Sequence, residues 1–254
     1  MKATEAEVRA VPTPRPSGRW FPIGHGRLLD AVQTGLQNHG IEVAEQNLSL
    51  MKDGNQFFAT FSLNGFQQKD IPGTLGFEVG CRGSIDKSLA ESLVFGTRVL
   101  VCSNGMIAGE KLFHRKNTTN VLDFLPGMVN EGLHDFAKFR DVQTAQYRRL
   151  VETPVNDQEA HDFICRSLLT DGESITGRDM AHVVEEWHEC SVPAFADKTA
   201  WRLHNAFTEV GKSIEERNPV TSAVRDMQIN KMFVKEFASD LPTIGDARAR
   251  WQHN

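Results

Sequence analysis

The hydrophobic period of this chain changes once, at Asn117, and that change constrains the fold more than any single motif. Before it, apolar residues alternate. Ile41, Val43, Leu48 and Leu50 lead into Lys52-Asp53-Gly54-Asn55, a strong hairpin signal, and Phe57, Phe58, Phe61 and Leu63 continue on the far side. Leu75, Phe77 and Val79 predict a third strand, with Gly80 and Gly83 around Cys81-Arg82 marking a bulge or a close backbone approach. Asp86-Lys87-Ser88 then opens a short helical stretch through Leu89, Leu93 and Val94. Val99 to Cys102 reads as a further strand, turned at Asn104-Gly105 into a second hairpin that carries Lys111, Phe113 and Arg115.

One helix precedes these strands, with Leu28, Leu29, Val32 and Leu36 at helical spacing and Asn38-His39-Gly40 as its stop. Beyond Asn117 every segment is helical. A helix runs from Leu122 toward Leu150, with Pro126-Gly127 expected to break its first turns. Others follow from Asp157, from Gly177, from Asp197 and after Pro219. The pattern predicts an α+β fold: a mostly antiparallel sheet with hairpins in the N-terminal half, packed with a helical C-terminal half. Pro12, Pro14 and Pro16 make residues 1–19 a flexible arm. Residues 20–254 are expected to form a single domain, sheet-rich over 20–118 and helical over 119–254.

Composition narrows the function classes. With 40% apolar and 24% charged residues the chain is neither disordered nor fibrous. Its four cysteines (Cys81, Cys102, Cys165, Cys190) form no CxxC pair, which fits a reducing compartment better than a secreted disulfide framework or a zinc ribbon. The N-terminus lacks the apolar core of a signal peptide, and no apolar run approaches the ~20 residues that span a bilayer. No membrane association is expected.

The net charge of −5 is unevenly placed. Residues 1–118 hold 13 Lys or Arg against 11 Asp or Glu, and residues 119–254 hold 15 against 22. Arg82, Lys87, Arg98, Lys111, Arg115 and Lys116 concentrate the basic excess against only Asp86, Glu91 and Glu110. On a strand Lys111, Phe113 and Arg115 share one face, a combination that holds phosphates while a ring stacks on a base. Arg82 and Lys87 flank a turn where backbone N–H groups favour an anion. These six, Arg82, Lys87, Lys111, Phe113, Arg115 and Lys116, are the candidate nucleic-acid-binding residues. The bland alternative for the Lys111–Lys116 stretch is the solvated face of a charged edge strand.

Catalytic signatures are weak. Two Glu-x-x-His pairs, Glu131 with His134 and Glu185 with His188, have the spacing of di-iron carboxylate ligands, but 18 Glu and 9 His give about 0.6 such pairs by chance. They are held only as weak metal candidates, and no cofactor is expected. No G-x-S-x-G elbow, P-loop or G-x-G-x-x-G is present.

The stretch Gly76 to Gly109 resembles an uncharacterised family of phage- and plasmid-encoded proteins, a domain of unknown function whose core reads G-x-R-N-S-x-D-K-S and later G-x-x-V-x-V-C-x-N. Arg82, Ser84, Asp86, Lys87, Ser88, Gly96, Val99, Val101, Cys102 and Asn104 match, and Gly83 stands where the family has Asn. Asn205, Thr208 and Glu209 match a later Asn-x-x-Thr-Glu, so the resemblance spans roughly residues 20–235. It implies a mobile element in a bacterial cytoplasm. The leading expectation is a non-enzymatic protein that handles nucleic acid, with single-stranded DNA as partner, as a binding or annealing accessory in recombination. The alternatives are a protein-binding factor that blocks a host defence enzyme and a metal-dependent enzyme built on the Glu-x-x-His pairs. An oligomer is compatible with all three.

Overall fold

The computed structural model describes residues 2–101, 104–106, 111–115, 117–118, 121–169, 176–215 and 219–243; the side chains of 104–106, 111–115, 168–169, 213–215 and 219–224 lie outside that description. Within it the fold is α+β, as the change of period predicts. The strands are β1 (Lys2–Ala3), β2 (Val43–Met51), β3 (Gln56–Leu63), β4 (Leu75–Ser84), β5 (Glu91–Val99), β6 (Asn104–Met106) and β7 (Lys111–Arg115). The helices are α1 (Glu5–Ala10), α2 (His25–Asn38), α3 (Val121–His134), α4 (Phe136–Glu152), α5 (Asp157–Leu169), α6 (Gly177–His188), α7 (Ala200–Glu215) and α8 (Pro219–Phe237). Strand order is β1-β2-β3-β4-β5-β6, with β7 also on β5.

The chain divides into two compact units that interleave in sequence. The first holds Met1–Phe66, Phe77–Gly96 and Glu110–Lys138; the second holds Gln67–Gly76, Thr97–Gly109 and Phe139–Asn254.

In the first unit β2 and β3 form the predicted hairpin, turned through Lys52, Asp53 and Gly54 at positive φ, and β3 pairs antiparallel with β4. Alternation gives this sheet two different faces. Phe57, Ala59 and Phe61 of β3 and Val79 and Cys81 of β4 are fully buried, as are Leu28, Leu29 and Val32 of α2. Phe136 sits edge-on to Phe66, Phe77 and Phe95, with centroids 5.1, 6.1 and 5.3 Å away. The opposite face carries Gln56, Phe58, Thr60 and Ser62, in register with Ser84, Arg82, Gly80 and Glu78. It is polar.

The second unit is helical apart from β6, which pairs with the last three residues of β5. Tyr147, Trp187, Trp201, Phe207 and Phe233 fill its core. Trp201 Nε1 donates to the Pro72 carbonyl at 3.0 Å, and Tyr147 and Thr97 share a 3.1 Å hydroxyl contact. Arg202 is buried with its guanidinium donating to the carbonyls of Trp187 and Ala196.

Four expectations are corrected. The flexible arm is partly ordered: β1 pairs with β2, and α1 has a capping box between Thr4 and Glu7 and buries Val8 completely. The expected short helix after Asp86 is instead a run of bends followed by β5. Ser88 bonds back to Asp86, and the Ser84 hydroxyl both accepts from the Leu89 N–H and donates to its carbonyl, so local side-chain bonds displace helical ones. The second hairpin turns at Leu100–Val101, which leaves Asn104 and Gly105 inside β6 opposite Val99 and Arg98. Pro126 does not break α3: the stripe Val121, Leu125, Val129 and Leu133 is buried around it, and the interruption falls at Asp135.

Candidate nucleic-acid interface

The family-like motif that begins at Gly80 runs along β4 and into the following bends, and most of its polar residues are occupied in building that turn. The Asp86 carboxylate accepts from the Ser88 N–H at 2.9 Å and from the Ser88 hydroxyl; burial opposes its ionisation, but these bonds bring its pKa below the ordinary carboxylate value. Gln56 Nε2 donates to Ser88 Oγ at 2.7 Å, which holds the turn against the polar end of β3. Lys87, the residue between Asp86 and Ser88, adopts a left-handed φ of 69°. Its ammonium lies 4.8 Å above the centre of the Trp20 ring.

Arg82 is different from its neighbours. It stands on the polar face of β4, opposite Phe58 in register, and is half-buried. Its guanidinium makes no hydrogen bond, ion pair or ring contact among the described residues, and burial lowers its pKa. Arg9, Arg148, Arg149 and Arg166 each meet a carboxylate within 2.9 Å. Buried charges are ordinarily paired, so a half-buried cation without a counter-charge is a candidate contact for an anion.

On the apolar side of the sheet Glu91, the first residue of β5, is buried at 1% exposure, and burial pushes its carboxyl up to about 8 despite bonds from Asn117 and the Ser84 backbone. Asn117 Nδ2 donates to Glu91 Oε1 at 3.0 Å and to the Ser84 carbonyl at 3.3 Å. Glu91 Oε2 and Asn117 Oδ1 have no partner among the described residues. A Cβ at position 83 would collide with the Glu91 carboxyl, so the glycine leaves the space in which that carboxyl sits. Cys81 beside it is fully buried, and burial, then the Glu91 charge, raises its thiol pKa, which makes it a poor nucleophile.

The structure therefore places Arg82 and Lys87 at one end of the sheet and adds Trp20 and Phe58, which the sequence reading had not singled out. The other candidates are located by backbone alone. Arg115 stands opposite Glu91, Phe113 opposite Leu93 and, past a bulge, Lys111 opposite Val94; the side chains of Lys111, Phe113 and Arg115, and all of Lys116, lie outside the described residues.

The metal candidates are not gathered. Glu131 and His134 belong to the first unit and Glu185 and His188 to the second, and among the described residues no group of three or more His, Cys, Asp or Glu could hold a metal ion. His188 meets His161 instead, Nε2 to Nε2 at 2.9 Å with ring centroids 5.1 Å apart. The 2.2 Å excess of the second distance nearly equals two ring radii, so the nitrogens point at each other, as in an imidazole–imidazole hydrogen bond rather than at a common metal. In the Asn-x-x-Thr-Glu stretch, Asn205 donates to the Trp201 carbonyl at 2.8 Å and Thr208 to the Asn205 carbonyl at 2.9 Å, and both are buried. These are packing roles.

Two concavities of about 420 and 500 Å³ flank α2 in the first unit, the larger lined by Arg9, Phe21, His25 and Arg27 among others. Neither is lined by Arg82 or Lys87. Among the described residues no helix is long and apolar enough to cross a membrane.

The fold defines an α+β protein, with the half-buried Arg82 on the polar face of β4. The model of the family described as a domain of unknown function (DUF932) matches residues 15–232, and the chain belongs to that family. No curated protein and no solved structure matches the chain.

Proposed function

We propose that this protein binds single-stranded nucleic acid along the polar sheet face at the Arg82–Lys87 end, as a binding or annealing accessory of a phage or plasmid in a bacterial cytoplasm. The observation that carries the reading is the half-buried Arg82 guanidinium without a counter-charge beside Phe58. Lys87 on the Trp20 ring supplies a second cation next to an aromatic face. Phosphates satisfy the cations, and the partly exposed Trp20 ring offers a stacking surface that only unpaired bases can use, whereas the buried Phe58 ring backs the face from within. The backbone of β7 brings further basic residues alongside β5. Binding of a labelled oligothymidine tests this: affinity should fall with salt at about −0.7 in log–log slope per phosphate neutralised. Arg82→Glu combined with Lys87→Glu should weaken it for every sequence alike. No binding by folded protein at about 50 mM salt would contradict the proposal.

A protein partner is the second reading. It is favoured by Leu100 and Val101, adjacent aliphatics left 46% and 61% exposed at the β5–β6 turn of the second unit.

A further inference from the structure

Glu91 touches none of the groups that would meet a phosphate, yet the chain of contacts from its carboxyl ends on them. Oε1 accepts from Asn117 Nδ2, and the same amide donates to the Ser84 carbonyl, the last residue of β4 before the turn that carries Lys87. The Asn117 carbonyl accepts from Phe21 N–H at 3.0 Å, and the next residue, Thr118, bridges Trp20, whose ring lies under Lys87. Asn117 therefore joins the two pieces of backbone whose side chains form the Lys87–Trp20 pair. Gly83 leaves the space that the Glu91 carboxyl fills.

We propose that Glu91, as a neutral carboxylic acid, is the positioning residue for the anion-binding turn, and that loss of its proton both loosens the Lys87–Trp20 pair and weakens anion binding. The buried carboxyl has one oxygen on Asn117 and the other without a partner among the described residues. An uncharged acid tolerates that arrangement better than a carboxylate, one of whose oxygens would hold charge in a buried position with no donor among the described residues. Relief requires the carboxylate to turn toward solvent or water to enter beside Gly83, and either disturbs the Asn117 bridge. The new negative charge also opposes a phosphate nearby. Both effects act in the same direction.

The groups facing Glu91 are Cys81 and the Ser84 backbone from β4 and Asn117 from the segment before α3, with Arg115 opposite it in the β5–β7 register. The inference rests on the nucleic-acid reading for its binding arm only, and the test separates the two. Full-length protein labelled with 5-fluorotryptophan is titrated from pH 6.5 to 9.5, following the Trp20 fluorine resonance, assigned with Trp20→Phe. Oligothymidine affinity is measured over the same range. The wild-type Trp20 signal should titrate with a midpoint near 8, and affinity should fall by about tenfold beyond the change seen in Glu91→Gln. In Glu91→Gln, which keeps a neutral side chain, the Trp20 signal should be flat and binding at pH 7 retained. A Trp20 signal that titrates in protein that binds no oligonucleotide would leave the positioning role standing and remove the nucleic-acid reading. A Trp20 signal that does not move while the protein stays folded would overturn the role of Glu91, and that wild-type measurement needs no variant to fold.

Discussion

Arg82 and Arg202 show how differently one residue type is used in this chain. Arg202 is buried and places its guanidinium on two main-chain carbonyls, whereas Arg82, less buried, has no such bond among the described residues. The sequence marks both only as basic residues. Burial has pH consequences at two other positions. The Glu91 pKa is raised from 4.5 to about 8, so folding takes up a proton between those values; the stability it allows is fully present below about pH 4.5 and is lost as pH rises toward 8. Glu91→Gln should therefore melt several degrees above wild type at pH 8.5, with the gap narrowing toward pH 5, in scanning calorimetry. A constant gap would assign the difference to packing. His204 lies against Trp201, Tyr147 and Phe233, and neither of its ring nitrogens has a hydrogen-bond partner among the described residues. Burial depresses its pKa from 6.5 to about 3, so stability present above 6.5 is lost as pH falls toward 3. His204→Phe keeps a ring in that place and should shift acid unfolding to lower pH.

At the scale of elements, period and turn chemistry were legible where local and tertiary preferences agree. The β2–β3 hairpin, α2, α5, α6, α7 and α8 fall where spacing predicts them. The segment after Asp86 misleads because Leu89 and Leu93 are four apart, while Leu93, Phe95, Thr97 and Val99, all buried, carry the strand period through the same residues. Thr4-x-x-Glu7 is a capping signal that lies before Pro12, Pro14 and Pro16, and those prolines say nothing against a short helix upstream of them. Phe58 was not singled out because Phe57-Phe58 is a doublet: alternation puts the rings on opposite faces of the sheet, both are buried, and sequence does not say which joins the polar face. Thr4→Ala should cost about 1 kcal/mol in chemical denaturation, confined to α1 if that helix opens separately in hydrogen exchange. Gly35 of α2 lets α3 approach so closely that a Cβ would stand 2.5 Å from Val129 Cγ1 and 3.1 Å from Leu133 Cδ1. Gly35→Ala should destabilise by about 1–3 kcal/mol through overpacking, against the small gain an exposed helical Gly→Ala gives.

At the scale of the whole molecule the two compact units do not coincide with the two halves of the sequence. The second unit includes Gln67–Gly76 and Thr97–Gly109, so residues 119–254 expressed alone lack part of its core, Leu75 among it. That fragment should give broad, non-cooperative unfolding, and a sharp transition would show that the helices suffice. Interleaving of this kind leaves no mark in local periodicity, which reports which face is apolar and not what it packs against. The uneven charge belongs to this scale too: on the proposed reading, the acidic excess after residue 119 opposes a polyanion, which makes binding sensitive to salt. The measurement that bears most directly on the proposed function is therefore the salt dependence of oligothymidine binding for wild type and for the Arg82→Glu, Lys87→Glu double variant, between about 50 and 200 mM salt. The account predicts a linear log–log dependence for the wild type, and in the folded double variant a shallower slope with affinity about tenfold or more weaker at the lower salt. Equal slopes and equal affinities for the two proteins would contradict it.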